Sequence, residues 1–309
     1  MYPLLQGLPP LDNDAHQLPT QLSTLSRSGQ PVSLCINRIA APVFRYLPLH
    51  LASELTDRVT LTLGVMGDLD RALTERATEF SSESLLEAAE GLRSQVGLIC
   101  IKGFDYREDL KGFRRLPGLP RAVLKLRPTY WQDIGSKKRA DLLRQRKLGQ
   151  AIRKELRDGF PLEHADRILE LYRQTRDKAS LKLLDHDLGY FKSTAPVSAY
   201  LLYFFQGELI AFHQLISDGP TMYSQYVGMD YAAPQSLRVY FNLLIDSIDI
   251  GIERSKREID FGITSYRYKK HIGCEIQPTW NYFQPSYPWL NWAMPVLDPI
   301  LSPNQAMLA

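Results

Sequence analysis

The chain has 309 residues, 44% of them apolar and 23% charged, which is the composition of a soluble globular protein with room for one large domain or two ordinary ones. A net charge of +3 is too small to argue for nucleic acid by itself. The three cysteines, Cys35, Cys100 and Cys274, form no CxxC pair and offer neither a disulfide framework nor a zinc site. No stretch approaches the ~18 apolar residues of a membrane span. Pro3, Asp12 and Asp14 stand where a signal peptide needs an apolar run, so the expectation is a cytoplasmic protein.

In chain order, residues 1–30 hold Pro3, Pro9, Pro10, Asn13 and Pro19 and read as an extended or disordered arm. Residues 31–128 read as a mixed α/β half. Val32–Ile36, Val59–Val65 and Val96–Ile101 are strand-like, and Ser81-Ser82-Glu83-Ser84 opens a helix to about Arg93 with a serine cap and an acid in its first turn. Lys111–Pro120 is a basic Gly/Pro loop, either a solvated connector or a contact for an anion. Arg121–Arg127 is a further strand candidate. Ser136 is placed to cap a helix running to about Arg157, where Asp158-Gly159 ends it. That stretch holds nine basic residues (Lys137, Lys138, Arg139, Arg144, Arg146, Lys147, Arg153, Lys154 and Arg157) against Asp141 and Glu155, a local +7 that leaves the rest of the chain at −4. With Leu148, Ile152 and Leu156 as an apolar stripe, it is either a solvated cationic face or a contact for phosphate, tRNA or an anionic membrane.

His164–Ala179 is the next helix. Val197–Phe205, Leu209–Ser217 and Thr221–Gly228 follow as strands joined by Gln206-Gly207 and Asp218-Gly219-Pro220, turn chemistry that makes an antiparallel meander. From Ser236, Leu237, Phe241, Leu244, Ile248 and Ile252 recur at helical spacing, with Arg238, Asn242, Asp246 and Glu253 on another face and Pro234 and Ser236 at the start. This helix crosses over to Glu258–Phe261, a strand that must run parallel to its neighbour. Gly262, a basic turn from Tyr266 to Gly273 and a strand at Cys274–Phe283 complete the domain. The remainder, 284–309, is rich in Trp, Tyr and Pro and reads as a latch over the N-terminal half, a lipid-facing segment or the roof of an acyl channel.

The element order is that of the GNAT acyltransferase fold. Ser136-Lys137-Lys138-Arg139, the meander, Ile259-Asp260-Phe261-Gly262 and Tyr268-Lys269-Lys270-His271-Ile272-Gly273 together resemble the GNAT-like domain of bacterial Fem-related peptidoglycan biosynthesis/recognition proteins, over about Tyr130 to Gly273. The resemblance implies an α/β (α+β) fold of tandem GNAT-like halves, each with a mixed central sheet, and a splayed parallel strand pair in the second. Residues 31–128 would be a degenerate half and 129–283 the acyltransferase domain. It implies an N-acyltransferase that moves an acyl group from an acyl-CoA or acyl-carrier thioester to an amine. The alternatives are a Fem-type transferase using aminoacyl-tRNA on a cell-wall precursor, or a catalytically silent binding module. The loop that carries glycines in ordinary acyl-CoA enzymes is here Met229–Ser236, with none, which leaves the helix N-terminus at Gln235, Ser236 and Arg238 as the anion site. No long heptad insertion of the kind found in Fem aminoacyl transferases is present.

Acyl transfer to an amine needs the amine deprotonated, the oxyanion held and the leaving group protonated. Asp260 is a base or amine-orienting group, or a cap for the turn at Thr264 and Ser265. Lys269 neutralises developing charge, or pairs internally with Asp260 or Glu258. The resemblance gives Tyr266 or Tyr268 the role of protonating a leaving thiolate; packing is the other reading. It also puts donor contacts at the backbone of Tyr226, Val227 and Gly228, beside Gln225. His213, mid-strand, is a buried hydrogen-bonded histidine or a catalytic one. No residues have metal-ligand spacing.

Overall fold

The computed structural model of the protein describes the backbone of residues 20–25, 31–42 and 60–67, and residues 81–302 except 95, 105–108, 180–185, 289–290, 293, 296–297 and 299–301. The arm expected over residues 1–30 lies outside the described residues except for Thr20–Leu25, which is a strand. The chain divides into two compact units, residues 1–120 with 278–308, and residues 121–277. These limits differ from the boundaries expected at 128/129 and 283/284. Strand pairing explains the difference, because Arg121–Lys125 joins the second unit's sheet and Trp280–Pro285 returns to the first.

In the first unit the strands are Thr20–Leu25 (β1), Pro31–Pro42 (β2), Thr60–Gly67 (β3), Leu98–Phe104 (β4), Arg114–Pro117 (β5) and, from the far end of the chain, Trp280–Pro285 (β13). They lie in the order β1-β2-β3-β4-β13-β5. Only β3 and β4 run parallel, joined through the helix Ser82–Leu92 (α1). The expected serine cap is present: Ser81 Oγ accepts from the Ser84 N–H at 3.1 Å. Leu85, Ala88, Ala89 and Leu92 recur at three- and four-residue spacing and bury one face of α1 with Ile99, Ile101 and Tyr282. The C-terminal tail closes onto this unit, with Met294 buried and Asp298 paired with Arg114.

The second unit contains Arg121–Lys125 (β6), Tyr130–Asp133 (α2), Ser136–Leu148 (α3), Arg153–Asp158 (β7), Ala165–Lys178 (α4), Leu188–Ser193 (α5), Ser198–Phe205 (β8), Glu208–Asp218 (β9), Thr221–Met229 (β10), Val239–Glu253 (α6), Glu258–Asp260 (β11), Tyr266–His271 (α7) and Glu275–Gln277 (β12). The sheet order is β12-β6-β11-β10-β9-β8-β7. The meander, the crossover helix and the parallel return are as the sequence predicts. The two sheets share one plan. In each, three antiparallel strands lead through a helix to a parallel fourth; an antiparallel strand from elsewhere in the chain follows, then an outer strand. β13 fills in the first unit the slot that β6 fills in the second. Among the described residues no helix is long and apolar enough to cross a membrane.

Four expectations need correction. The basic helix does not reach Arg157: it ends at Leu148, and Arg153–Asp158 is an edge strand antiparallel to β8. Gly149 marks the break, packed so tightly that a Cβ there would lie 2.7 Å from Asn242 Nδ2. Leu148 and Leu156 are accordingly exposed, and Leu142 is the residue α3 buries. Ser136 does not cap α3, since Gly135 holds the N-cap position and supplies no side chain. Nor does Ser236 cap α6. Gln235–Leu237 is a 3-10 turn, and Arg238 starts the helix from the left-handed region at φ 49°. Asn242, expected on a polar face, is fully buried, and its Nδ2 lies 3.1–3.2 Å from the carbonyls of Leu237, Arg238 and Gln145. One amide thus ties the turn before α6 to the end of α3.

Gly228 is fixed by packing of β10 against α4. A Cβ there would lie 2.2 Å from Phe212 Cε1 and 2.8 Å from the backbone carbon of Leu171. Backbone cannot move aside cheaply, so Gly228→Ala is expected to cost about 2 kcal/mol, as overpacking of a filled interior does. Urea denaturation should show a lower midpoint at unchanged slope.

Candidate active site

The parallel pairing of β10 with β11 covers three positions: Thr221 with Glu258, Met222 with Ile259 and Tyr223 with Asp260. Beyond Tyr223 the two chains part. β10 continues along β9 to Met229, with a register shift between Ser224 and Tyr226 that leaves Gln225 as the extra residue. The chain after Asp260 stays with β6 instead: the Phe261 N–H donates to the Ala122 carbonyl at 2.8 Å, and the Ala122 N–H donates to the Gly262 carbonyl at 2.9 Å. The result is a fork that opens at Ser224 on one side and Phe261 on the other, at the carboxyl ends of two parallel strands, where open α/β sheets place ligands.

The far side of the fork is a charged, strained turn. Asp260 is 1% exposed and Arg121 3%, with Arg121 Nη1 at 3.3 Å from Asp260 Oδ2. The other carboxylate oxygen accepts from the Gly262 N–H at 2.7 Å. The expected cap at Thr264 and Ser265 is thus made at Gly262 instead. Gly262, Thr264 and Ser265 all have positive φ (70°, 65° and 51°), a costly conformation for the two that carry a Cβ, Thr264 above all. Lys269 is 3% exposed and donates from Nζ to the Ile263 carbonyl at 2.7 Å, so a buried cation also braces this turn. Glu258, the alternative partner expected for Lys269, instead pairs with Lys125 and accepts from Thr221 Oγ1. The Cys274 thiol is pushed up to about 12 by burial, with Lys269 opposing and Asp260 adding to the shift, which puts both charges beside it.

The two candidate tyrosines separate. Tyr266 is 2% exposed, and burial raises its pKa, against a hydrogen bond with the Thr264 backbone. Tyr268, on the same turn of α7, is 48% exposed. Its ring lies edge-on to Tyr240, with centroids 5.8 Å apart, at the N-terminal turn of α6. Tyr240 itself is pushed up to about 12 by burial, despite a hydrogen bond with Ser265. Gln235, Ser236 and Arg238 are exposed on the turn leading into α6. The structure thus brings Tyr268 to the helix N-terminus that carries the candidate anion-binding residues.

On the near side, Tyr226 turns its side chain to the other face of the sheet. Its hydroxyl is 2.8 Å from His186 Nε2, and its ring packs edge-on to Tyr172 and Tyr190. Val227 is half-buried and paired with His213. His213 is fully buried at the centre of a polar chain running from Ser224 to Ser247. Burial pushes it down to about 3, a nearby Leu243 carbonyl opposes, and the charge of Lys269 lowers it further. Sequence reasoning named His213 but missed Ser224, Ser247 and Arg121. Nothing in the spacing of these residues links them; only the β9–β10 register and the packing of α6 do. Among the described residues no group of three His, Cys, Asp or Glu could hold a metal ion.

Residues 136–270 match the family model described as Acetyltransferase (GNAT) domain. The second unit therefore carries an N-acyltransferase domain of the GNAT kind. Solved structures with the same fold include the C-terminal DUF2156 domain of a protein described as a lysylphosphatidylglycerol synthetase from Agrobacterium fabrum, at 11% identity and TM-score 0.59, covering 90% of this chain and 87% of that one. L-PGS from Bacillus licheniformis is similar at 14% identity and TM-score 0.54, covering 92% and 90%. FemX is similar at 10% identity and TM-score 0.58, covering 94% and 96%. These likenesses extend over both units and define the fold. No curated protein matches the chain.

Removing one partner of a buried ion pair strands the other. Asp260→Ala is therefore expected to destabilise the protein by about 3–5 kcal/mol. Asp260→Asn, which keeps an acceptor for the Gly262 N–H, should cost less. Equal denaturation midpoints for the two variants would show that the hydrogen bond to the Gly262 N–H adds nothing measurable to the turn, and a midpoint unchanged from wild type in Asp260→Asn would show that the pair with Arg121 does not hold it.

Proposed function

We propose that the second unit moves an acyl group from an acyl-CoA to a primary amine, with the donor's thioester in the fork between β10 and β11. The fork carries this reading: a parallel pair that stops after Tyr223 and Asp260 leaves its two strands following different neighbours at the sheet's centre. The donor's phosphates would lie at the N-terminus of α6, where unpaired N–H groups and the exposed Arg238 favour an anion. The backbone of Gln225, Tyr226 and Val227, which follows the end of the parallel pairing, would line the acyl group. In the reaction the amine nitrogen bonds to the thioester carbon and gives up one N–H proton to solvent, the C–S bond breaks, and the thiolate takes a proton from a side chain that is reprotonated by solvent. Tyr268 is the group we assign to supply that proton, because it is 48% exposed and its ring packs on Tyr240 in the first turn of α6. Asp260 and Lys269 act through the turn they brace rather than on the substrates. A CoA donor and the buried free thiol of Cys274 are in keeping with a cytoplasmic protein.

Incubation with acetyl-CoA, longer acyl-CoAs and a panel of primary amines, read as free thiol released, tests the assignment. Tyr268→Phe is expected to lower kcat about a hundredfold, the scale of general acid catalysis, at unchanged stability. Full activity in that variant would remove Tyr268 from the mechanism.

A second reading has aminoacyl-tRNA as donor. The exposed Lys137, Arg144, Lys147, Arg153 and Arg157 on α3 and β7 favour it, as does the glycine-free approach to α6. Pairing weakens this surface as a polyanion site: Arg144 is held by Asp141, Arg146 by Asp249, Lys154 by Asp246, and Arg153 and Arg157 by Glu155. Should tRNA bind there, affinity is expected to fall about a thousandfold between 50 and 200 mM salt, as for an interface of roughly six or more phosphate contacts. Binding by filter retention across that range gives the answer.

A further inference from the structure

The polar chain at the fork fixes which way a hydroxyl points. Ser247 Oγ lies 2.7 Å from the Leu243 carbonyl, which can only accept. The one proton of that hydroxyl is therefore spent within α6. Ser247 Oγ is also 2.9 Å from His213 Nδ1, and toward that nitrogen it can only accept. Nδ1 thus carries the imidazole proton. With a fully buried, neutral ring, Nε2 is left bare. Ser224 Oγ is 2.6 Å from Nε2 and must donate its proton to it. Every hydrogen in the chain from Ser224 to Leu243 is then assigned, and all run inward from the sheet to the helix.

Ser224 is the first residue of β10 past the last position paired with β11, it is half-buried, and it stands at the register shift. Its proton is committed inward, so the oxygen has only lone pairs to offer toward the fork. We propose that Ser224 is an acceptor-only positioning residue for the incoming amine, binding one of its N–H groups at the vertex of the fork. His213 and Ser247 hold it in that polarity. Such a hydroxyl discriminates by type of group. It attracts an amine or ammonium, and it repels a carboxylate or a thioester carbonyl, each of which would face it lone pair to lone pair. This rests on the transferase reading of the fork and adds to it the residue that recognises the acceptor.

Two measurements keep the proposal separable from that reading. The first needs no turnover: nitrogen-15 NMR of the full chain, with His213→Asn to assign the signal, reports which ring nitrogen holds the proton. The Nδ1–H tautomer is expected, unchanged from pH 5.5 to 8.5, with the bare Nε2 signal shifting as lysine amide is added and unaffected by added acetate. An Nε2–H tautomer, or a shift with acetate and none with lysine amide, overturns it, whether or not the protein turns over acyl-CoA. The second is kinetic, for the amine and thioester that the wild type uses. Ser224→Ala should raise KM for the amine roughly tenfold, the value of one hydrogen bond to a charged donor, while KM for the thioester stays within about twofold. Ser224→Thr, which restores the hydroxyl, should recover most of the loss. A general loss of kcat with no change in the amine KM, or no rescue by threonine, would mark Ser224 as a structural residue and end the proposal.

Discussion

The short parallel pairing of β10 with β11 is the constraint on which the rest of the second unit turns. A crossover helix obliges the strand that follows it to run parallel to the strand before it. α6 supplies the crossover, and its apolar face, Leu244, Ile245 and Ile248 among others, is buried against the sheet. Each such side chain contributes about 1.5–3 kcal/mol on burial, so the helix position is not negotiable. β11 is then hydrogen-bonded on both edges, to β10 on one and β6 on the other. The ladder with β6 outlasts the one with β10, because the Phe261 N–H and Gly262 carbonyl are both taken by Ala122. The extra residue in β10 swings that strand the other way. Two ordinary features, a longer ladder on one edge and a bulge on the opposite strand, suffice to part the sheet at its middle.

What lies just beyond the fork explains why so much charge is buried there. A turn with positive φ at Gly262, Thr264 and Ser265 costs on the order of 1–3 kcal/mol for each non-glycine residue. It persists because fixed groups occupy its polar atoms: the Asp260 carboxylate takes the Gly262 N–H, and the Lys269 ammonium takes the Ile263 carbonyl. Arg121 then balances Asp260. The strain sets the start of α7, and α7 presents Tyr268 outward while Tyr266 stays inside. The buried charges are thus upstream of the site in a mechanical sense: they set where an exposed hydroxyl stands.

The sequence made some of this legible and hid the rest for physical reasons. The meander could be read because its turns are local, Gln206-Gly207 and Asp218-Gly219, and local chemistry is what periodicity and turn rules capture. The crossover helix could be read because its apolar positions repeat over four turns. β7 could not. Leu148, Ile152 and Leu156 are spaced four apart, like a helix stripe, and only the packing of Gly149 under Asn242 reveals that the helix has already ended. Arg121 could not be linked to Asp260, nor Ser224 and Ser247 to His213, because those pairs are made by register and by helix packing rather than by neighbours in the chain. Asn242 was misassigned for a related reason: a polar residue on a helix looks solvated until the carbonyls it serves, Leu237, Arg238 and Gln145, are known.

The shared plan of the two sheets carries a consequence for how the chain is assembled. In the second unit, β6 comes before the meander, and every strand lies within residues 121–277. That sheet can close as soon as its own residues exist. In the first unit the equivalent slot, between β4 and β5, is filled by β13, which follows β5 by more than a hundred and sixty residues. Until β13 arrives, β4 lacks a hydrogen-bonding neighbour on one edge and β5 has none in this sheet, and exposed edges invite wrong pairing. The loop to be closed is long, but closure entropy grows only slowly with length, and a folded second unit shortens the effective span by bringing Arg121 and Gln277 onto neighbouring strands, β6 and β12. The antiparallel register of Gln277 with Arg121 puts the chain's exit from the second unit beside its entry, where β5 ends four residues earlier and β13 begins three residues later. The pairing of Gln277 with Arg121 thus places on adjacent strands the two points where the chain enters and leaves the second unit, so most of the sequence separation between β5 and β13 is spanned within that unit's own sheet.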